Sequence, residues 1–257
     1  GGREIAGGEG GRLREAPWHY IGTTASCLFG YKQREGDQGT HKLGCGPRGK
    51  VERAKPSRHG RLTALHVAAQ YSNVAADNSN NIEAAKLLLE AGADVNTRTQ
   101  HPKHNGGVTS LFFALLGENN TAKPKLVSLL LEAGADVTLK MTVDVGDKWG
   151  LTFDTVLGYY TGYIDARAEI VKMFLDAGAD PNGQDTVFGQ APLHNVALRS
   201  GDEGVKVGKL LLEYGADPLL ADKDGDTPLE LAKELSTDQD LIDLLTEATE
   251  KALKSST

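Results

Sequence analysis

The residues of this chain whose types could do chemistry fall into a few groups. Cys27 and Cys45 lie 18 positions apart, with His41 and His59 nearby. Structural zinc sites supply cysteines as pairs two to four residues apart, so this spacing argues against a metal. His101 and His104 share a stretch rich in Pro, Gly and Asn but have no third ligand beside them. They read as solvated loop histidines. Asp222-Lys223-Asp224-Gly225-Asp226 looks like the start of a calcium loop. Such a loop needs Gly at position 6 and Glu at position 12. Here Gly225 stands at position 4 and Lys233 at position 12. His66 and His194 would need a matched nucleophile to act as general bases, and none is apparent. Asn119-Asn120-Thr121 fits a glycosylation acceptor triplet, but without a secretory signal it reads as chance. No phosphate-cradling glycine loop, nucleophile elbow or zinc-protease helix is found. No catalytic, cofactor-binding or metal-binding residue is therefore assigned, and the chain is not expected to be an enzyme.

The elements that would have to position any site come next. The chain has 257 residues, 39% hydrophobic and 25% charged, which excludes a wholly disordered polymer. Aromatics are only 6%, which disfavours an aromatic-rich sandwich or barrel. No apolar run is long enough for a spanning helix, and two cysteines cannot build a disulfide scaffold. A cytoplasmic protein is expected. The net charge of −7 divides unevenly. Residues 1–61 carry 12 basic and 6 acidic side chains, and the remainder carries 16 and 29. Of the 31 glycines, 14 lie in the same leading segment.

Residues 1–60 form a basic, Gly-rich leader that is expected to be disordered. Its one apolar stretch, from Trp18 through Phe29 to Tyr31, cannot bury a core alone. The first methionine is Met141, so the chain reads as a fragment, a processed form or an imperfectly assigned reading frame.

The rest repeats itself. Leu88-Leu89-Glu90-Ala91-Gly92-Ala93-Asp94-Val95-Asn96 returns as Leu130-Leu131-Glu132-Ala133-Gly134-Ala135-Asp136-Val137-Thr138. It returns again at Phe174-Leu175-Asp176-Ala177-Gly178-Ala179-Asp180-Pro181-Asn182 and at Leu211-Leu212-Glu213-Tyr214-Gly215-Ala216-Asp217-Pro218. Apolar residues ahead of each glycine, such as Ile82, Ala85, Leu88 and Leu89, recur at helical spacing. Glycine suits the left-handed residue that ends a helix. The Asp that follows suits a turn, where its carboxylate accepts backbone N–H bonds. Upstream of the helices lie Thr63-Ala64-Leu65-His66, Ala191-Pro192-Leu193-His194 and Thr227-Pro228-Leu229-Glu230. Thr caps a helix and Pro suits its first position.

This combination, Thr-Pro-Leu-His followed by a leucine helix and Gly-Ala-Asp, resembles the ankyrin repeat. The resemblance covers about residues 60–250. It implies an all-α solenoid: a turn or hairpin plus two antiparallel helices per unit, stacked side by side. It also implies that His66 and His194 bridge backbone groups between units. The domain at 61–257 divides approximately into repeats at 61–96, 97–138, 139–182 and 183–218, with a capping pair at 219–252.

Departures from the family's spacing are informative. The turn glycines are 42, 44 and 37 residues apart, against a family period of about 33. The surplus is expected in loops between paired helices (71–80, 117–124, 161–165 and 200–204) and in hairpin regions (97–107 and 140–149). The opening at Thr109-Ser110-Leu111-Phe112 has Ser for Pro and Phe for His. The third opening is placed at Thr152-Phe153-Asp154-Thr155-Val156-Leu157, where only Thr matches.

The family implies a binding surface of hairpin tips and first helices. Phe112, Phe113 and Tyr159 are expected to fill the core. Trp149, Phe188 and Tyr163 are expected as partner-binding anchors, since aromatics bury large area at small entropic cost. The charged Arg98, Lys148 and Asp185 of the hairpin regions join them. The expected activity is binding of a basic or mixed-charge protein partner by a monomer, with no cofactor and no membrane contact. Two other readings stay open: a targeting or substrate-recruitment fragment of a larger enzyme or effector, and a nucleic-acid binder using the basic leader.

Overall fold

The computed structural model describes residues 62–71, 79–99, 107–116, 123–140, 155–162, 166–199, 201–236 and 238–255. The leader, Trp149, Tyr163, Lys148, His101, His104 and the glycosylation triplet lie outside them.

Ten helices occur among the described residues, and no strand. They come in five pairs. The first helices are α1 (Ala64–Tyr71), α3 (Ser110–Leu115), α5 (Val156–Thr161), α7 (Pro192–Ala197) and α9 (Pro228–Leu235). The second helices are α2 (Ser79–Glu90), α4 (Lys123–Glu132), α6 (Ala168–Asp176), α8 (Asp202–Glu213) and α10 (Gln239–Ser255). Each first helix packs on the next first helix, and each second helix on the next second helix. The described residues thus form a stack of five helix pairs.

Capping starts the first helices. Thr227 and Glu230 form a reciprocal capping box, with the Thr227 amide donating to Glu230 Oε2 at 2.8 Å and Pro228 following in the first position. At α5 the Thr155 hydroxyl accepts from the Gly158 amide at 3.1 Å. The third opening is therefore Thr155-Val156-Leu157-Gly158, three residues later than the sequence suggested. The expected position at Thr152 took the first of two threonines, Thr152 and Thr155. The cap geometry selects the Thr that leaves a helix of apolar residues behind it.

Glycine ends the second helices. Gly92, Gly134, Gly178 and Gly215 have φ of +84°, +86°, +90° and +88°. Only glycine takes this conformation without strain. The following residue turns its amide back, as Ala93 does to Leu88 O at 3.0 Å and Ala179 to Phe174 O at 2.9 Å. The repeated Asp then does what its position requires. The Asp94, Asp136, Asp180 and Asp217 carboxylates accept from the amides two residues on, at 2.8–2.9 Å. Asp222 does the same for Asp224 and Asp226, so the resemblance to a calcium loop is a hydrogen-bonded turn.

Some of the expected loops are shorter than the sequence indicated. Helix α1 runs through Tyr71, and α8 begins at Asp202, inside the span expected as a loop. Gly201, at φ +92°, turns the chain into α8, and the acidic Asp202 and Glu203 suit its first turn. Gly208 in mid-helix lets α10 approach. A β-carbon there would stand 3.2 Å from the Leu244 side chain.

The core runs along the stack. Leu65, Leu111, Phe113, Leu126, Leu157, Ile170, Phe174, Val196, Leu211 and Leu245 are at most 1% exposed. Phe112, Phe113 and Tyr159 belong to it, as expected. Adjacent units meet in a fixed register. The amides of Val67, Phe113, Tyr159, Asn195 and Leu231 each donate to the carbonyl of their own capping residue, four positions back. They are therefore equivalent. In three junctions this fourth position meets the third position of the preceding unit. Phe113 packs edge-on against His66 at 5.4 Å, and Tyr159 tilts against Phe112 at 4.5 Å. Asn195 donates to Gly158 O at 3.0 Å.

Two side-chain types bridge the units. His66 Nδ1 accepts from the Thr63 amide at 3.0 Å, and its Nε2 faces Thr97 O at 3.0 Å. His194 repeats this with the Ala191 amide and Asp226 O, both at 3.2 Å. The network assigns the neutral Nε2–H tautomer to both rings. Asn96 donates to Gly134 O at 3.0 Å and accepts from the Asp136 amide at 2.8 Å. Asn182 donates to Gly215 O at 2.9 Å and accepts from the Asp217 amide at 2.7 Å. Between the second and third units both bridges are missing by residue identity. Phe112 stands in the histidine position, and Thr138 stands in the asparagine position and bonds Asp136 in its own turn.

Thr138→Asn should therefore add a bridge to the turn at Gly178 and Asp180. It is expected to raise stability by about 0.5–1.5 kcal/mol, read as a higher urea midpoint at unchanged slope. An unchanged midpoint would contradict the bridging role. A second expectation concerns pH. Burial holds both histidines below the ordinary value of 6.5. The unfolded chain then takes up protons first as pH falls, so stability is full above 6.5 and declines below it. Carboxylates whose pKa is depressed in the fold (Asp136 and Glu230 among them) contribute only at lower pH, below about 4.5. The urea midpoint should fall between pH 6.5 and about 5, and His66→Gln/His194→Gln should flatten that fall.

Candidate functional site

Short first helices leave little for a partner to touch in the middle of the stack. Every residue of α3 and of α7 is buried. Helix α5 buries Val156, Leu157, Tyr159, Tyr160 and Thr161. The first-helix part of an exposed surface is therefore confined to the end units, at Ala64 and Val67 in α1 and at Glu230, Lys233, Glu234 and Leu235 in α9. The turns between units carry the rest.

The best-ordered tip lies ahead of α7. Asp185 organises it: one carboxylate oxygen accepts from the Val187 and Phe188 amides at 2.8 and 2.7 Å, and the other from the Gln190 amide at 2.8 Å. Its backbone closes the same loop, with the Asp185 amide donating to Gln190 O at 3.0 Å. Asp185 thus shapes the tip from within. Phe188 is half-buried on it.

The next tip is fastened to this one. Lys223 donates its amide to Phe188 O at 2.9 Å and its ammonium to Thr186 O. Gln184 donates to both Gly189 O and Ala221 O, at 2.6 and 2.8 Å. Two consecutive tips therefore form one continuous surface, with Gln184, Thr186, Lys223 and Asp224 exposed around Phe188.

Arg98 lies on a tip nearer the other end of the stack, and is exposed. Its loop closes by Thr99, whose amide donates to Val108 O and whose hydroxyl accepts from the Val108 amide, both at 3.0 Å. The Thr138 hydroxyl and amide hold the Asp136 carboxyl below its usual range, with the Arg98 charge adding to the effect. Arg98 and the pair Phe188 and Asp185 thus occupy different tips.

Several contributors were not foreseen from the sequence. Asn96 and Asn182 close the repeated motif, and their equivalent spacing was the available signal. Gln184 had none. On the second-helix side, Tyr214, just past the end of α8, donates to Asp176, and Lys172 bonds both Asp176 at 2.8 Å and the Tyr214 hydroxyl at 3.1 Å. Tyr160 accepts from the Arg167 amide at 3.2 Å, which explains how a buried tyrosine hydroxyl is satisfied. Among the described residues, no group of three or more His, Cys, Asp or Glu could hold a metal ion. None of the described helices is long and apolar enough to cross a membrane.

Comparison with known proteins agrees with this architecture. A family model described as ankyrin repeats in three copies matches residues 163–255, and a single ankyrin repeat model matches residues 61–100. The chain is 42% identical to human 2-5A-dependent ribonuclease over 64 residues, 25% of this chain and 8% of that protein. It is 30% identical over 100 residues to a protein of Acanthamoeba polyphaga mimivirus named for its ankyrin repeats, covering 39% of this chain and 59% of the relative. An ankyrin repeat-containing protein of Schizosaccharomyces pombe is 36% identical over 78 residues, 30% of this chain and 36% of its own length. The chain spans less than two thirds of each of these relatives. Paired helices, left-handed glycine ends, inter-unit His and Asn bridges and the two family models lead to one assignment: the chain belongs to the ankyrin repeat family.

Proposed function

We propose that this chain is a protein-binding module whose contact surface is built on the hairpin tips. Ankyrin repeats generally mediate protein–protein interaction. The observation that supports a tip surface is the fastening of two consecutive tips around Phe188, through Lys223 and Gln184. A surface already held in one geometry loses little freedom on binding. Phe188 is the anchor, Asp185 positions it, and the exposed Gln184, Thr186, Lys223 and Asp224 form a polar rim. Arg98 adds a second contact point. Trp149, Tyr163 and Lys148, named from the sequence, belong to the same proposed surface.

The excess of acidic side chains beyond residue 61, 29 against 16 basic, favours a basic or mixed-charge partner and disfavours direct contact with nucleic acid. No cofactor is needed for such a role.

A second reading has its own support. The similarity to 2-5A-dependent ribonuclease is to a protein of which the match covers 8%. It favours an array that recruits partners or substrates for a larger enzyme or effector. The complete reading frame distinguishes the two, through the presence or absence of a catalytic domain beside the repeats.

The test of the tip surface is capture of a partner by the full chain, identified by mass spectrometry and titrated against variants. Phe188→Ala should weaken that partner by roughly 30-fold, as expected for a loss of about 2 kcal/mol at an anchor. Circular dichroism should be unchanged. Trp149→Ala in the same chain should weaken it further. Undiminished binding with both positions changed would place the surface elsewhere.

A further inference from the structure

We propose that Asn182 is a site of spontaneous deamidation, and that its conversion removes the asparagine bridge between the third and fourth units. Asn182 is followed by Gly183, and among the described residues no other asparagine precedes a glycine. A second such pair, Asn105-Gly106, lies outside the described residues. Glycine has no β-carbon to shield its amide nitrogen from the preceding side chain. The equivalent position in the first unit is Thr97, whose branched side chain stands beside that nitrogen. The backbone does not require glycine at 183. Its φ is not left-handed, and a β-carbon there would meet nothing closer than the Asp180 carbonyl oxygen at 3.5 Å. The Gly183 amide donates to Asp180 O at 3.4 Å, longer than an ordinary hydrogen bond. Asn182 and Gly183 are half-buried, and the bridge to Gly215 is exposed.

The reaction needs water alone. The Gly183 amide nitrogen gives up its proton and attacks Asn182 Cγ. A new C–N bond closes a succinimide, the Cγ–Nδ2 bond breaks, and ammonia leaves with that proton. Water then opens the ring at either carbonyl, leaving aspartate or isoaspartate. The atom lost is the bridging donor, since Asn182 Nδ2 donates to Gly215 O at 2.9 Å. A carboxylate in its place sets an acceptor against an acceptor. It also adds a negative charge to turns already closed by the Asp180 and Asp217 carboxylates. Isoaspartate lengthens the main chain by the β-carbon, which displaces the side chain from its bridging position. In the closed turn the fourth unit holds both Nδ2 and Oδ1, at 2.9 and 2.7 Å. Attack therefore waits for the turn to open locally, and neither product can remake the bridge. The change runs in one direction.

The test incubates the full chain in mildly alkaline buffer over several weeks. Peptides from an acidic digest, in which no further conversion occurs, are then mapped by mass spectrometry, which separates Asn182 from Asn105. Asn182 should convert at least about tenfold faster than Asn96, which makes the same bridge but precedes the branched Thr97. Gly183→Thr should slow the conversion by a similar factor, with an unchanged circular dichroism spectrum. Asn182→Asp makes one product directly and should lower the urea midpoint by roughly 0.3–0.7 M at unchanged slope. An Asn182 that stays intact, or converts no faster than Asn96, overturns the proposal. So does a Gly183→Thr chain that folds and converts at the parent's rate. If Gly183→Thr fails to fold, the comparison with Asn96 inside the parent chain decides. An Asn182→Asp chain as stable as the parent would show that conversion leaves the junction intact, and would also overturn it.

Discussion

In the first four pairs the helices are six to twelve residues long; such a pair cannot bury its apolar side chains alone, and isolated helices of this length are marginal in water. Each pair in this chain depends on where the next one is held. That placement is set at the turn after each second helix. A left-handed glycine reverses the chain, an Asp carboxylate closes the turn, and an Asn or His reaches across to backbone groups of the neighbouring unit. These bridges are made to backbone, so they fix position without demanding a particular side chain in the partner unit. The apolar contacts then fill a space of defined shape. Where both bridges are missing, between the second and third units, a tilted Phe112–Tyr159 contact holds the register in their place.

The same constraint shapes what the array offers to other molecules. Central first helices are enclosed by their neighbours, which removes their side chains from the surface. The turns ahead of α7 and α9 are tied to each other by hydrogen bonds and still keep exposed residues. Phe188 illustrates the result. Its amide is held by Asp185 and its carbonyl by Lys223, so the ring is presented from a backbone already fixed by hydrogen bonds. The end units differ, because one of their sides has no neighbour among the described residues. One end is finished by the charged α10, and the other shows Val67 and Leu87.

Much of this architecture was legible in the sequence. Gly-Ala-Asp announced each helix end, because only glycine suits that backbone and the Asp has a local partner two residues away. Thr227-Pro228-Leu229-Glu230 announced a helix start for equally local reasons. His66 and His194 took the bridging role that the family resemblance implied. The third unit was misplaced by three residues, since Thr152 and Thr155 are chemically alike and only packing decides which one caps. Loop lengths were overestimated at α1 and α8, because polar composition alone does not mark the residue at which a helix ends or begins. The tip surface was partly visible. Phe188 stood out as an aromatic in a turn, but the inward use of the Asp185 carboxylate and the link through Gln184 depend on contacts between residues distant in sequence.

The central claim is that asparagine bridges, where present, lock one unit's turn to the next. Amide hydrogen exchange of the folded chain measures this at three equivalent positions. The amides of Asp136 and Asp217 donate to Asn96 and Asn182, whereas Thr138 provides no such acceptor for the turn at Asp180. The expected result is strong protection at Asp136 and Asp217 and fast exchange at Asp180. Equal protection at all three would contradict the claim.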